Sequence, residues 1–234
     1  MPLGGLNNVV PMNMNTTIVV SLVICAVVLL AVMGCRRKAS EPTALTPPTN
    51  EAEFNALFES ACTRLKPFVA MGGYAPKKLS SQEATQVRTC VRDLKSCLAF
   101  AGNHWQSMVF LAKAHQAMGE HQVSLNWLIQ AMDIEKSNHV IPKEASLEAV
   151  HLRDIKTAVL YSAEAIRRKP GDPELMGNHA MNLLISGDDA QASATIREAL
   201  TIAPQDDFNK RISGIIDEVM VGKRARPTCE SVMP

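Results

Sequence analysis

Few residues in this chain could carry chemistry, and their spacing gives them little to do together. The six histidines are His104, His115, His121, His139, His151 and His179. No two stand three to five residues apart, the spacing that would put two metal ligands on one turn of a helix. There is no glycine-rich loop to cradle a phosphate and no sharp turn to present a nucleophile. Asp188 and Asp189 adjoin just after Gly187, which reads as a solvated turn and not as a pair of catalytic acids. Cys25 and Cys35 belong to or border a long apolar run, leaving Cys62, Cys90, Cys97 and Cys229 elsewhere. If Cys90 and Cys97 share a helix they lie roughly 10 Å apart along its axis, too far for a disulfide, whose Cα atoms sit within about 7 Å. They read as small apolar packing residues. These residues predict no enzyme, no cofactor and no metal.

What must position the rest is a chain of 234 residues with net charge +1 and 4% aromatic content. That balance neither steers a polyanion nor supplies stacking platforms, so nucleic acid is excluded as a partner. Residues 18–34, IVVSLVICAVVLLAVMG, carry no charge, and that length is near the lower limit for a membrane-spanning helix. Residues 1–17 form a tail without Lys or Arg, whereas Arg36, Arg37 and Lys38 follow the run at once. Retention of positive charge on the cytoplasmic side predicts a single-pass membrane protein whose C-terminal bulk is cytoplasmic. The missing early positive charge also argues against a cleaved signal. Asn15-Thr16-Thr17 spells a glycosylation site, but it abuts the predicted span too closely for modification to be expected. An alternative stays open. The end of the run, Ala31 to Cys35, resembles the lipobox of bacterial lipoproteins, with Gly34 before Cys35, although Met33 fits poorly and the charged leader is missing. Cys35 is therefore a candidate lipidation site, by that route or as a membrane-proximal palmitoylation site. Residues 35–50 combine the basic stop with a proline- and threonine-rich tether.

Beyond the tether the sequence repeats. Gly119 and Ala131, shifted by 34, become Arg153 and Ala165, then Gly187 and Ala199. The same shift takes Ala112 to Ser146 and Ala180, takes Ser124 to Ala158 and Ala192, and takes Lys136 to Pro170 and Pro204. Small residues at fixed places in a 34-residue period are the spelling of a helix–turn–helix repeat. In each unit small faces small, so the two helices approach closely. Leu111, Leu125, Leu128, Val159, Ile166, Ile196 and Leu200 recur at three- and four-residue steps and form an apolar stripe. One pair cannot cover that stripe, so neighbours must stack. Pro170 and Pro204 should stop the second helices.

The units from Phe110 and from Asn178 resemble tetratricopeptide repeats; the middle one diverges, with Arg153 where the tight-turn glycine is usual. The resemblance implies an all-α fold of antiparallel helix hairpins stacked as a short right-handed solenoid, beside one N-terminal transmembrane helix. It places three repeats at 105–138, 139–172 and 173–206. Residues 51–104 are either a degenerate leading repeat or an N-terminal helical cap. Residues 207–222, with Phe208, Ile212, Ile215, Ile216 and Val219 on one side, form a capping helix, and 223–234 a mobile tail.

Such arrays hold an extended peptide or a partner's helix along the concave side, lined by first helices. The register puts Gln106, Val109, Phe110 and Lys113 there in the first unit, and Lys143, Glu144, Leu147 and His151 in the second. In the third it puts Gly177, Asn178, Met181 and Ile185. Co-chaperones of this family clamp a C-terminal carboxylate with basic and amide side chains. Here those places hold Val109, Lys113, Glu144, Gly177 and Met181, with one basic residue among them, so no such clamp is expected. The sequence thus predicts a membrane-anchored interaction scaffold for a protein or peptide ligand. Two other readings remain: an envelope-assembly, secretion or cytochrome-maturation factor with the array on the extracytoplasmic side, and an array that self-associates.

Overall fold

A computed structural model describes residues 46–69 and 78–232. The predicted span 18–34, Cys35 and most of the tether lie outside the described residues. Among those described, no helix is long and apolar enough to cross a membrane. The described chain is all helical: α1 (Glu51–Leu65) with a short 3-10 turn (Lys66–Phe68), α2 (Ser81–Phe100), α3 (Trp105–Ala117) and α4 (His121–Ile134). There follow α5 (Val140–His151), α6 (Ile155–Arg168), α7 (Pro173–Ser186), α8 (Asp189–Ile202), α9 (Asp207–Met220) and the short α10 (Cys229–Val232).

Short polar side chains start α1, α2 and α6 to α9, whereas α4 and α5 lack a side-chain cap, and from the middle unit onward the caps recur with the repeat. Asp154 and Asp188, one period apart, accept from Thr157 N and Gln191 N at the starts of α6 and α8. Asp172 and Asp206 do the same for α7 and α9, with Pro173 preset at the first position of α7. Ser80 and Glu83 form a reciprocal capping box on α2. Each such cap is worth about 1 kcal/mol. α6 and α8 end two residues before Pro170 and Pro204, as expected of a residue type that cannot continue a helix.

The turns between paired helices repeat bond for bond. Glu120 N, Asp154 N and Asp188 N donate to the carbonyls of His115, Ala149 and Leu183 at 2.9, 2.9 and 3.0 Å. This is the 6→1 closure of a helix end, which needs a left-handed residue just before it. Gly119 (φ 74°) and Gly187 (φ 93°) supply that conformation freely, and Arg153 adopts it at φ 61°. The middle unit therefore keeps the turn geometry despite lacking the glycine, at a cost of roughly 1–3 kcal/mol. Ala131, Ala165 and Ala199 also occupy equivalent niches. Each is at most 1% exposed, and each carbonyl accepts the closing bond of its helix, from Glu135, Lys169 and Ala203. One period earlier, Cys97 accepts likewise from Ala101.

Helices pack on their chain neighbours, and alternate helices α7 and α9 also touch. The cores straddle the units. Leu65, Val87, Leu94 and Leu111 join α1, α2 and α3; Met108, Leu128, Ala131 and Ile141 join α3, α4 and α5; Met176, Ile196, Ala199 and Ile216 join α7, α8 and α9. A lone hairpin would leave each cluster open, so burial worth ~1.5–3 kcal/mol per large aliphatic side chain is realised only in the stack. Small residues meet as expected: Ser146 Oγ donates to the carbonyl of Ala158 at 2.8 Å, and Asn182 Nδ2 from the next unit donates to Ser146 Oγ at 3.0 Å.

Candidate functional site

Successive first helices α5, α7 and α9 present equivalent residues to one side. The 34-residue register aligns Glu144 with Asn178 and Ile212, and Leu147 with Met181 and Ile215. Together they line a groove of about 860 Å³. Leu147, Met181, Phe208, Ile212 and Ile215 give it an apolar floor; Lys143, Glu174, Asn178, Asp206 and Arg211 give it a charged and polar margin. Lys143 Nζ pairs with Glu174 across two units. The cap helix reaches the groove because of Gly177, whose Cα faces the fully buried Asn209. Asn209 Nδ2 in turn donates to the carbonyl of Pro173 at 3.0 Å.

His151 sits at one end of the groove, its ring stacked on that of His121 at 4.2 Å between centroids. Burial, and then the neighbouring His121, lower the affinity of His151 for a proton. His121 Nδ1 lies 2.8 Å from Glu148 Oε2, and Gln116 Nε2 donates to Oε1 of the same carboxylate at 2.5 Å. Glu148 is 0% exposed; burial pushes its carboxyl up, opposed by its contacts with His121 and Gln116. Ser162 Oγ, also on the groove wall, lies 2.8 Å from His179 Nδ1 and donates to the carbonyl of Val159.

The predicted groove residues separate into two sets. Lys143, Glu144, Leu147, His151, Asn178 and Met181 line the groove, and Gly177 is buried behind it against α9. Gln106, Val109, Phe110 and Lys113 do not line it. Phe110 stacks edge-on against Phe58 of α1 at 5.8 Å, because the leading hairpin covers the first unit. Val109 is buried in the core shared by α3, α4 and α5. Lys113, 2% exposed, is engaged with the similarly buried Glu144 at 2.8 Å, so this cation joins two units inside the stack. Ile185 packs beside Ala149, Val150 and Cys229. Phe208, Arg211, Ile212 and Ile215 were not foreseen as groove residues. The signal was available: extending the period once more from Gly177, Asn178 and Met181 lands on Arg211, Ile212 and Ile215.

No family model matches the chain, and no curated protein matches it. Solved structures do. A crystal structure of MamA aligns with a TM-score of 0.59 at 10% identity, over 74% of this chain and 85% of that one. A tetratricopeptide repeat protein from Parabacteroides merdae ATCC 43184 aligns at 0.59 and 13% identity, over 72% of this chain and 60% of that one. YrrB, described as a TPR protein with an unusual peptide-binding site, aligns at 0.53 and 12%, over 73% and 84%. The fold is that of tetratricopeptide-repeat proteins. In that fold the groove formed by α5, α7 and α9 lies along first helices, as the register requires.

Proposed function

We propose that this chain is a protein-interaction scaffold that holds an extended peptide or helix of a partner in the groove formed by α5, α7 and α9. The observation that carries the reading is the groove itself: five large apolar side chains from three successive first helices, rimmed by side chains of both charges. A site of that size and lining suits apolar anchors with flanking polar contacts. Peptide binding by YrrB, as its description states, belongs to that protein and only makes the same use of the fold here reasonable. The test is capture of partners by the full chain against a variant carrying Leu147→Asp, Met181→Asp and Ile215→Asp. Loss of the captured partners with helix content unchanged is expected; equal capture would refute the groove as the binding face.

The reading extends to location. A span over 18–34 followed by Arg36, Arg37 and Lys38 would hold the array at the cytoplasmic face, where confinement raises effective concentration for a weak groove. Protease added outside intact cells should then leave the array whole. Its digestion, or a mature chain beginning at a lipidated Cys35, would favour the extracytoplasmic reading instead.

A further inference from the structure

The chain does not end with the cap helix: after Gly222 it turns back and crosses the edge where α5 joins α6 and α7 joins α8. Arg226 Nη1 donates to the Leu184 carbonyl at 2.6 Å, and the guanidinium grips the Asp189 carboxylate at 2.5 and 2.9 Å. Three residues on, Cys229 is 8% exposed, seated on Ala149, Val150 and Ala158 with Ile185 beside it. Glu230 pairs with Arg153 at 2.6 Å, and Val232 ends at the groove wall. Arg153 is the residue that occupies a left-handed turn position where both sister turns have glycine, and its side chain is the one that meets Glu230. The turn that departs from glycine is thus also a point of contact with the tail, through an ion pair exposed to solvent on both sides.

We propose that this edge is a docking strip for a peptide segment bearing an arginine, a small apolar side chain three residues later and an acid next to it, and that residues 226–232 occupy it in cis as a displaceable strap. The strap is held by side chains at a few points, and its approach from Val221 to Arg226 is exposed, so it belongs to the readily opened part of the molecule. Tethering raises the strap's local concentration, so in cis it outcompetes a free peptide of the same spelling until that peptide is in excess. Asp189, Arg153 and the apolar notch between them remain as a preformed site when the strap lifts.

The inference does not depend on the groove, and its test reads the strip alone. A fluorescent peptide of residues 223–234 is titrated into the full chain and followed by anisotropy. Arg226→Glu in the chain releases its own strap, so that variant should bind the peptide at least about tenfold more tightly than wild type, the ratio for a strip about nine-tenths occupied in cis. Asp189→Arg in an Arg226→Ala chain, whose own strap can pair with neither charge, should abolish binding, and a peptide carrying Arg226→Asp should restore it; a misfolded chain could not be rescued in that way. Equal binding by wild-type and Arg226→Glu chains, no binding by either, or indifference to the charge swap would overturn the proposal. A wild-type chain of doubled mass that Arg226→Glu returns to a monomer would assign the strap to a neighbouring copy and overturn the cis assignment.

Discussion

Gly177→Ala tests the contact that brings the cap helix to the groove. A Cβ at this position would lie 2.0 Å from Asn209 Oδ1, 3.2 Å from its Cγ and 3.1 Å from Cε1 of Phe208. Phe208 is 39% exposed and can swing outward; Asn209 is 0% exposed and tied through Nδ2 to the Pro173 carbonyl. Two effects oppose. Replacing glycine by alanine within a helix stabilises by about 1 kcal/mol. Forcing a methyl group into a filled contact costs about 1–3 kcal/mol, and displacing Asn209 from Pro173 costs about 1 more. The net expectation is a loss of about 1–3 kcal/mol. With Asn209→Ala in place, the obstructing Oδ1 and Cγ are gone, and the same glycine change should stabilise by up to about 1 kcal/mol. The four proteins form a double-mutant cycle read by urea denaturation and circular dichroism, with unchanged slopes checking two-state behaviour. A Gly177→Ala protein as stable as wild type, or an equal effect in both backgrounds, would refute the close approach of α7 to α9.

Lys113→Met should destabilise the array by about 3–5 kcal/mol because it leaves Glu144 buried without its cation, whereas Lys113→Met with Glu144→Leu should recover most of that loss; denaturant midpoints distinguish the two, and equal losses would sink the assignment. Stability should also fall on acidification. Burial depresses the proton affinities of His104, His151 and His179, so at low pH the unfolded chain binds more protons. The stability these groups contribute is present above the ordinary histidine value of 6.5 and is lost as pH falls through their depressed values. Thermal midpoints measured across that range should drop, and His151→Gln with His179→Gln should flatten the slope; an unchanged slope would count against burial as the cause.

How far the site was legible follows from which contacts it needs. Leu147, Met181 and His151 were found on the groove because a first-helix position repeats every 34 residues and successive helices are held parallel in register. Phe110 and Lys113 obey the same register, yet neither lines the groove. Phe110 is covered by Phe58, which lies 52 residues earlier in the chain (110 − 58), and Lys113 is neutralised by Glu144 across the unit boundary. Composition after Gly222 suggested a mobile tail, because Lys223, Arg224 and Arg226 with Pro227 have no local apolar pattern. In the structure this segment docks, through Arg226 on Asp189 and Cys229 on the Ala149 notch.

The period, the caps and the proline stops were decided locally: each depends on residues within a helical turn or on a pattern repeated along the chain, so the helices and their pairing are written in the order of side chains. Which face stays open to a ligand was decided only by folding. An inward position is a groove residue or a core residue according to what packs over it, and that covering comes from α1, α9 and the returning tail. Those partners lie tens of residues away; the period reaches α9, but no spacing rule joins α1 or the tail to the faces they cover, and only the burial of apolar surface and the pairing of charge select those contacts.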